Sequence, residues 1–255
     1  MFLWESIAFG PIFSRRLGSS LGINISPTHT KICSFDCIYC ECGWTKDAVC
    51  QGVFPTVDEV VTAIEMKLKK CKEENTAIDS ITFSGNGEPT LHPQFEEIID
   101  KLLLLREQYY PKCVIACLSN STQLHRVDVK SALQKIENPI LKLDAGSEHF
   151  FQWVDRPNVP LKLSDILPLL KEFRHELIIQ TMILKGEIDG KVIDNSQGQE
   201  LELLIKNIKE VAPKKVMLYS LDRETPAKKL TKISKEKLEE IAKMIRQNEV
   251  EVEVY

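Results

Sequence analysis

The chain has 255 residues, 43% of them apolar and 27% charged, and a net charge of −4. This is the composition of an ordinary globular core; it has no overall basic excess for nucleic acid, although a local basic face stays open to it, and no apolar run reaches the ~18 residues of a membrane span. Eight cysteines without a positively charged leader ahead of an apolar stretch argue against a disulfide-stapled secreted scaffold, and for a reducing cytosol where clustered thiols hold metal.

In chain order, short apolar runs alternate with amphipathic segments, the pattern of βα units and a parallel sheet. Residues 21–25 read as a first strand leading into a cysteine loop. Thr56-x-x-Glu59 is a capping box that opens a helix to about residue 71. Residues 78–84 are a second strand, and Pro93 opens a helix to about residue 108 with residues 102–105 on its buried side. Residues 113–118, 140–143, 177–184 and 215–219 are the third to sixth strands. Helices fall near residues 127–135, 165–173 (capped by Ser164) and 199–210. Ser234 caps a last helix to about residue 247, and residues 250–254 alternate like a short edge strand. Six βα units predict an α/β fold, a partial (β/α)6 barrel. It forms one domain over residues 1–255, with the core barrel at about 20–220 and the last helix and edge strand at 234–255. In such barrels the reactive groups gather at the C-terminal ends of the strands, and each motif below sits at such an end.

The densest chemistry is Cys33-Ser34-Phe35-Asp36-Cys37-Ile38-Tyr39-Cys40, spaced C-x3-C-x2-C. Thiolates are soft ligands for iron–sulfur clusters, zinc or copper(I). Most sulfur-ligated sites use four protein sulfurs, so three close cysteines suit a cubane with one iron left open for a reactant. Tyr39 is placed to stack on a flat ligand beside it. A zinc site on Cys33, Cys37, Cys40 and Cys42 is the alternative. Structural zinc, however, usually joins two ligand sets well apart in sequence, and no C-x2-C or H-x3-5-H partner follows.

Gly85-Asn86-Gly87-Glu88 follows the second strand. Its glycines let backbone approach a ligand closely, and Glu88 offers a carboxylate to an ammonium; an ordinary βα turn with a solvated glutamate is the competing reading. A P-loop is excluded because no Gly-Lys-Ser/Thr follows. Ser119-Asn120-Ser121 either holds ligand oxygens or forms a simple Asx or Ser turn. Lys142 and Asp144 share one face of the fourth strand's end, as a ligand-facing pair or a plain ion pair. Met182 reads as core. Cys113 and Cys117 share one side of a strand and read as buried thiols, and Cys71 lies on a helix. Cys42 and Cys50 flank the cysteine loop and read as free thiols, since two local cysteines cannot complete a four-cysteine site.

These motifs, in this order, resemble the radical S-adenosylmethionine (SAM) superfamily. The resemblance implies that Cys33, Cys37 and Cys40 bind a [4Fe–4S] cluster whose open iron chelates SAM. It implies reductive cleavage of SAM to a 5′-deoxyadenosyl radical that abstracts hydrogen from a substrate. Gly85, Gly87 and Glu88 would meet the SAM amino group. Tyr39, Ser119, Asn120 and Asp144 would position the rest of SAM, with Met182 near the adenine and a reductase such as flavodoxin or ferredoxin as electron donor. Gly10-Pro11, Ser14-Arg15-Arg16-Leu17-Gly18, Lys142-Leu143-Asp144-Ala145-Gly146, Arg156-Pro157 and Leu221-Asp222-Arg223 add a likeness to the wyosine (tRNA imidazoguanine) synthases. Those synthases carry a further N-terminal cysteine set and a lysine for pyruvate, whereas the first cysteine here is Cys33. The implied substrate is therefore a tRNA nucleotide with a different product, or else a peptide or small metabolite. Arg15, Arg16 and Arg223 become hydrogen-bond donors fit for phosphate or carboxylate, with Lys228, Lys229 and Lys232 beside them. A glycyl-radical activase or peptide maturase is the rival enzyme, and an iron–sulfur electron carrier the rival non-enzyme.

Overall fold

The computed structural model describes residues 2–45, 52–173 and 175–255. The chain opens with a hairpin of β1 (Ala8–Ser14) and β2 (Gly18–Ile23), paired antiparallel from Ala8↔Ile23 to Ser14↔Gly18. The Ser14 hydroxyl closes its turn by accepting the N–H groups of Arg16 and Leu17, each at 3.2 Å. The sequence pattern hides β1 because Gly10-Pro11 interrupts the alternation. The register slips between Phe9 and Ile12, the kind of bulge that admits a proline into an edge strand.

The rest of the chain builds βα units. They run α1 (Val57–Glu73), β3 (Ser80–Phe83), a 3₁₀ turn (Pro89–Leu91), α2 (Phe95–Tyr109), β4 (Val114–Ser119), α3 (Val127–Gln134), β5 (Asn138–Lys142), α4 (Glu148–Val154), α5 (Leu163–Lys171) and β6 (Ile178–Met182). Then come β7 (Leu184–Ile188), β8 (Lys191–Asp194), α6 (Gly198–Val211), β9 (Lys215–Tyr219), β10 (Leu230–Lys232), α7 (Lys235–Arg246) and β11 (Val252–Val254). One sheet has the order β1-β2-β3-β4-β5-β6-β9-β11, parallel from β2 onward. β2 to β6 and β9 are the six expected strands, and they curl into a partial barrel.

Local chemistry explains the pieces. α1 begins at the expected capping box, with Glu59 N–H donating to Thr56 Oγ1 at 3.3 Å and Thr56 N–H to Glu59 Oε2 at 2.7 Å. Its buried residues Val57, Val60, Ile64, Leu68 and Cys71 follow the helical period. β3 is buried at every position, as a parallel strand covered on both faces must be. Alternation then divides the core. Ala116, Ile140, Ile178 and Met217 form an apolar layer apart from the helix-packed side. Two residues further along three of those strands, on the same side, stand Lys142, Gln180 and Tyr219. The barrel floor is apolar and its mouth polar.

Three expectations are corrected. Ser164 does not cap α5: the helix begins at Leu163, Asp165 Oδ2 accepts the Lys162 N–H at 2.9 Å, and Ser164 is exposed in the first turn. Pro93 does not open α2, which starts at Phe95; the proline that opens a turn is Pro89. The strand expected at 177–184 forks at Ile183, and β7 leaves to pair with β8 and β10 in a second, three-stranded antiparallel sheet. Among the described residues no helix is long and apolar enough to cross a membrane.

Buried Asn195 holds that fork. Its Nδ2 donates to Met182 O at 2.8 Å and Asp144 O at 3.0 Å, and its Oδ1 accepts the Leu184 N–H at 2.9 Å. Asn195→Ala strands three buried backbone groups, each costing ~1–3 kcal/mol. Equilibrium urea unfolding should show a loss of about 3 kcal/mol or more; an unchanged midpoint would mean that the β7–β10 pairing holds the fork alone.

Candidate functional site

The cysteine loop leaves the end of β2 and has no regular structure, so its shape is imposed by neighbours. Ile32 N–H donates to Asn86 O and Glu88 N–H to Ile32 O, both at 2.9 Å. Opposite, Asp36 N–H donates to Asp155 O at 3.1 Å, Ile38 N–H to Val154 O at 3.0 Å and Asn158 N–H to Ser34 O at 2.8 Å. Ala227 N–H closes on Ile38 O at 3.1 Å. Phe35 and Ile38 are buried as apolar anchors, and Phe35 meets Phe151 of α4 edge to face at 5.5 Å. The thiols of Cys33, Cys37 and Cys40 are half-buried.

Polar groups approach these sulfurs. The Phe35 N–H lies 3.5 Å and Asn120 Nδ2 3.6 Å from Cys33 Sγ. Cys42 Sγ donates to Gly85 O at 3.4 Å, a further tie between the two loops. The Cys42 thiol, against burial and with the Lys31 ammonium, holds Cys40 down to about 6. Burial pushes Cys33 up to about 12 and Cys37 well upward. Cys113 and Cys117 are buried, as expected, and so is Cys71; Cys50 lies outside the described residues.

The Gly85–Glu88 stretch is less open than its sequence suggests. A Cβ on Gly87, at φ +134°, would sit 1.7 Å from Ile32 O, so this glycine exists for contact with the cysteine loop. Glu88 is buried. Its Oε1 accepts from Thr90 N–H, Thr90 Oγ1 and Ser119 Oγ at 3.0, 2.5 and 2.9 Å, and its Oε2 from the Asn120 N–H at 2.6 Å. Burial nevertheless raises its pKa. Asn120 forms the turn, with Oδ1 accepting the Thr122 N–H at 3.1 Å, and its Nδ2 reaches Ser34 Oγ at 2.9 Å. Ser121 sits at φ +72°.

At the end of β5, Lys142 contacts Tyr39 Oη and Asp144, and its ammonium lies 4.7 Å from the Tyr39 ring centroid and 2.8 Å from Asp155 Oδ1. Tyr39 also donates to Asp144, whose Oδ1 accepts the Met182 N–H at 2.7 Å. Met182 itself is core. Sequence reasoning missed Asp155, which follows a helix too short to announce itself, although Arg156-Pro157 beside it was noted. It also missed Lys31, which carries no motif signal. Arg16 stacks 4.8 Å from the Tyr219 ring centroid and donates to Gln180 at 3.2 Å, so it belongs to the mouth.

Comparison with known proteins decides the family. The Radical SAM superfamily model matches residues 28–197. The chain belongs to this superfamily. It is 35% identical over 245 residues to a UPF0026 protein of Methanocaldococcus jannaschii, covering 94% of this chain and 70% of that one. It is 32% identical over 254 residues to the GTPase Obg of Brachyspira hyodysenteriae, covering 96% of this chain but only 34% of that one, so it spans about a third of this relative. Its fold is similar to a radical SAM methyltransferase from Sphaerobacter thermophilus (TM-score 0.67, 14% identity, 96% and 67% covered) and to archaeal TYW1 (0.55, 14%, 90% and 72%).

This radical SAM protein thus uses a [4Fe–4S] cluster and SAM. Its residues fit them. Among the described residues no three His, Cys, Asp or Glu side chains converge on a single point. A cubane instead takes one thiolate at each of three separate irons. Buried Asn24 Nδ2, at the end of β2, and Ser121 Oγ, at the end of β4, have no partner within the protein, the state expected of groups that await a ligand.

Burial pushes the Asp155 carboxyl up to about 7; Lys142 opposes the rise and Asp144 adds to it. An unfolded aspartate ionises near ~3.9. The folded state therefore holds this proton more tightly, and the stability this group contributes falls as pH rises from about 4 to about 7. Asp155→Asn removes that fall. Thermal unfolding from pH 4 to 8 should show the variant gaining on the wild type across this window; a parallel pair of curves would place the titration elsewhere.

Proposed function

We propose that Cys33, Cys37 and Cys40 hold the cluster, and that SAM lies against Tyr39, the Gly85–Glu88 loop, the Ser119–Asn120 turn and Asp144. The observation that carries this reading is the backbone clasp through Ile32, which sets the cysteine loop directly against Gly87. When bound, the cluster supplies an electron and SAM the 5′-deoxyadenosyl radical that takes hydrogen from a substrate.

The chain's own residues prepare that chemistry. Glu88 Oε1 is saturated by Thr90 and Ser119, while Oε2 carries one hydrogen bond and keeps a lone pair for an ammonium. Asp144 and Asp155 keep the Lys142 ammonium charged against its burial. A lysine held protonated is no nucleophile, so Lys142 serves as a fixed cation at the mouth and not as an imine former.

Anaerobic reconstitution should load about four irons and, after dithionite reduction, convert SAM to 5′-deoxyadenosine. Cys37→Ala should lose the cluster, while Cys71→Ala, on the buried face of α1, should keep it. Equal iron in both variants would remove the ligand assignment.

For the substrate, the mouth supports a small molecule or peptide segment over a polyanion. Arg15 and Lys232 pair with Asp222 at 2.8 and 2.9 Å, Arg223 with Glu41 at 2.6 Å, Lys229 with Glu187 at 2.6 Å and Lys228 with Glu224 at 3.9 Å. A tRNA nucleotide, the class implied by the wyosine-like motifs, would have to displace these carboxylates. Bulk tRNA titrated at two salt concentrations should show weak binding with a shallow slope. A loss of ~10³-fold or more between 50 and 200 mM salt, as for a protein with many phosphate contacts, with a shallower slope in Arg15→Ala, would instead favour the tRNA reading.

A further inference from the structure

Lysine is almost never buried without a purpose, and two lysines are buried at this end of the barrel. Lys142 is matched by two carboxylates. Lys31 has, among the described residues, a single carboxylate near it. Its side chain is 4% exposed, its Nζ donates to Gly43 O at 2.8 Å, and Asp36 stands 3.5 Å away and is 17% exposed. Gly43 N–H in turn donates to Cys40 O at 2.9 Å. The ammonium is therefore enclosed by the turn of chain that carries the three cysteines.

We propose that Lys31 makes the cluster easier to reduce, by holding a buried positive charge inside the cysteine loop. The inference rests on the reading that Cys33, Cys37 and Cys40 hold the cluster. Adding an electron places one more negative charge in a buried site, and net charge and burial are what set the potential of such clusters. A fixed ammonium stabilises the reduced form, and water screens it little at 4% exposure. Asp36 opposes it from the wetter side. Lysine is ordinarily a cation well above neutral pH, and Lys31 Nζ keeps the Asp36 carboxylate within 3.5 Å. Among the described residues, the other charged groups that face these sulfurs are Glu88 toward Cys33, and Asp155 and Lys142, of opposite sign, toward Cys37. Closing the loop onto Gly43 O needs only a neutral donor, which would avoid the several kcal/mol that burying an ion costs. The charge itself is what a purely structural role leaves unexplained.

The test is a redox titration of the anaerobically reconstituted full chain, followed by electron paramagnetic resonance, on wild type, Lys31→Met, Lys31→Arg and Asp36→Asn. At the wild-type midpoint, Lys31→Met should show a reduced-to-oxidised ratio about tenfold lower, a shift of about 59 mV for one electron. Lys31→Arg should stay nearer the wild type, and Asp36→Asn should shift the opposite way. A Lys31→Met variant with full iron content and the wild-type potential overturns the proposal. If neither Lys31 variant retains a cluster, Asp36→Asn decides, and no upward shift overturns it. A wild-type chain that loads no cluster at all fails the cysteine assignment itself, before Lys31 is tested.

Discussion

Everything at the mouth of this barrel depends on how residues 31–43 are gripped. The segment contains no helix or strand and brings three half-buried thiols together, so its shape must be imposed from outside. Two backbone clasps do this. One runs through Ile32 to Asn86 and Glu88, and the other through Ser34, Asp36 and Ile38 to residues 154–158. Backbone hydrogen bonds on both sides fix the path more tightly than side-chain contacts, because each unmade one would leave a buried polar group orphaned. Phe35 and Ile38, the residues between the cysteines, are buried into the same framework.

The second constraint is electrostatic. The polar mouth of the barrel places Lys142, Asp144 and Asp155 in a space largely closed to water. Two carboxylates share one ammonium there, and burial, with Asp144 adding to it against Lys142, makes Asp155 give up its proton reluctantly. Tyr39, between its cysteine neighbours and this triad, couples the loop to the polar mouth through Lys142 and Asp144. The aromatic of the motif is thus fixed at both its ends.

The parallel strands and the three cysteines were legible because their signals are local: β-branched runs bounded by turns, and a spacing that suits few metals. β1 was not, since Gly10-Pro11 disguises an edge strand. α4, the β7–β8–β10 sheet and Asp155 were not, because each is defined by what it packs against. Lys31 was invisible for a different reason. Nothing in Thr28-His29-Thr30-Lys31 marks a lysine whose side chain turns inward, and only the enclosure by Gly43 and Asp36 reveals it.

Asn86 stands between the two glycines ahead of Glu88. In the fold its side chain is buried and satisfied by the chain itself. Oδ1 accepts the Trp4 N–H at 2.8 Å, and Nδ2 donates to Trp4 O at 2.9 Å and Pro27 O at 3.0 Å. This pair of opposed bonds imitates a rung of antiparallel sheet. It docks the N-terminal segment, with Trp4 stacked on Phe9 at 3.6 Å, against the same loop whose backbone carries the cysteine clasp. Asn86 therefore faces the N-terminal segment, while Gly87 lies against the Ile32 carbonyl and Gly85 against Asn24. The first residues of the chain, the glycine loop and the cysteine loop become one braced unit.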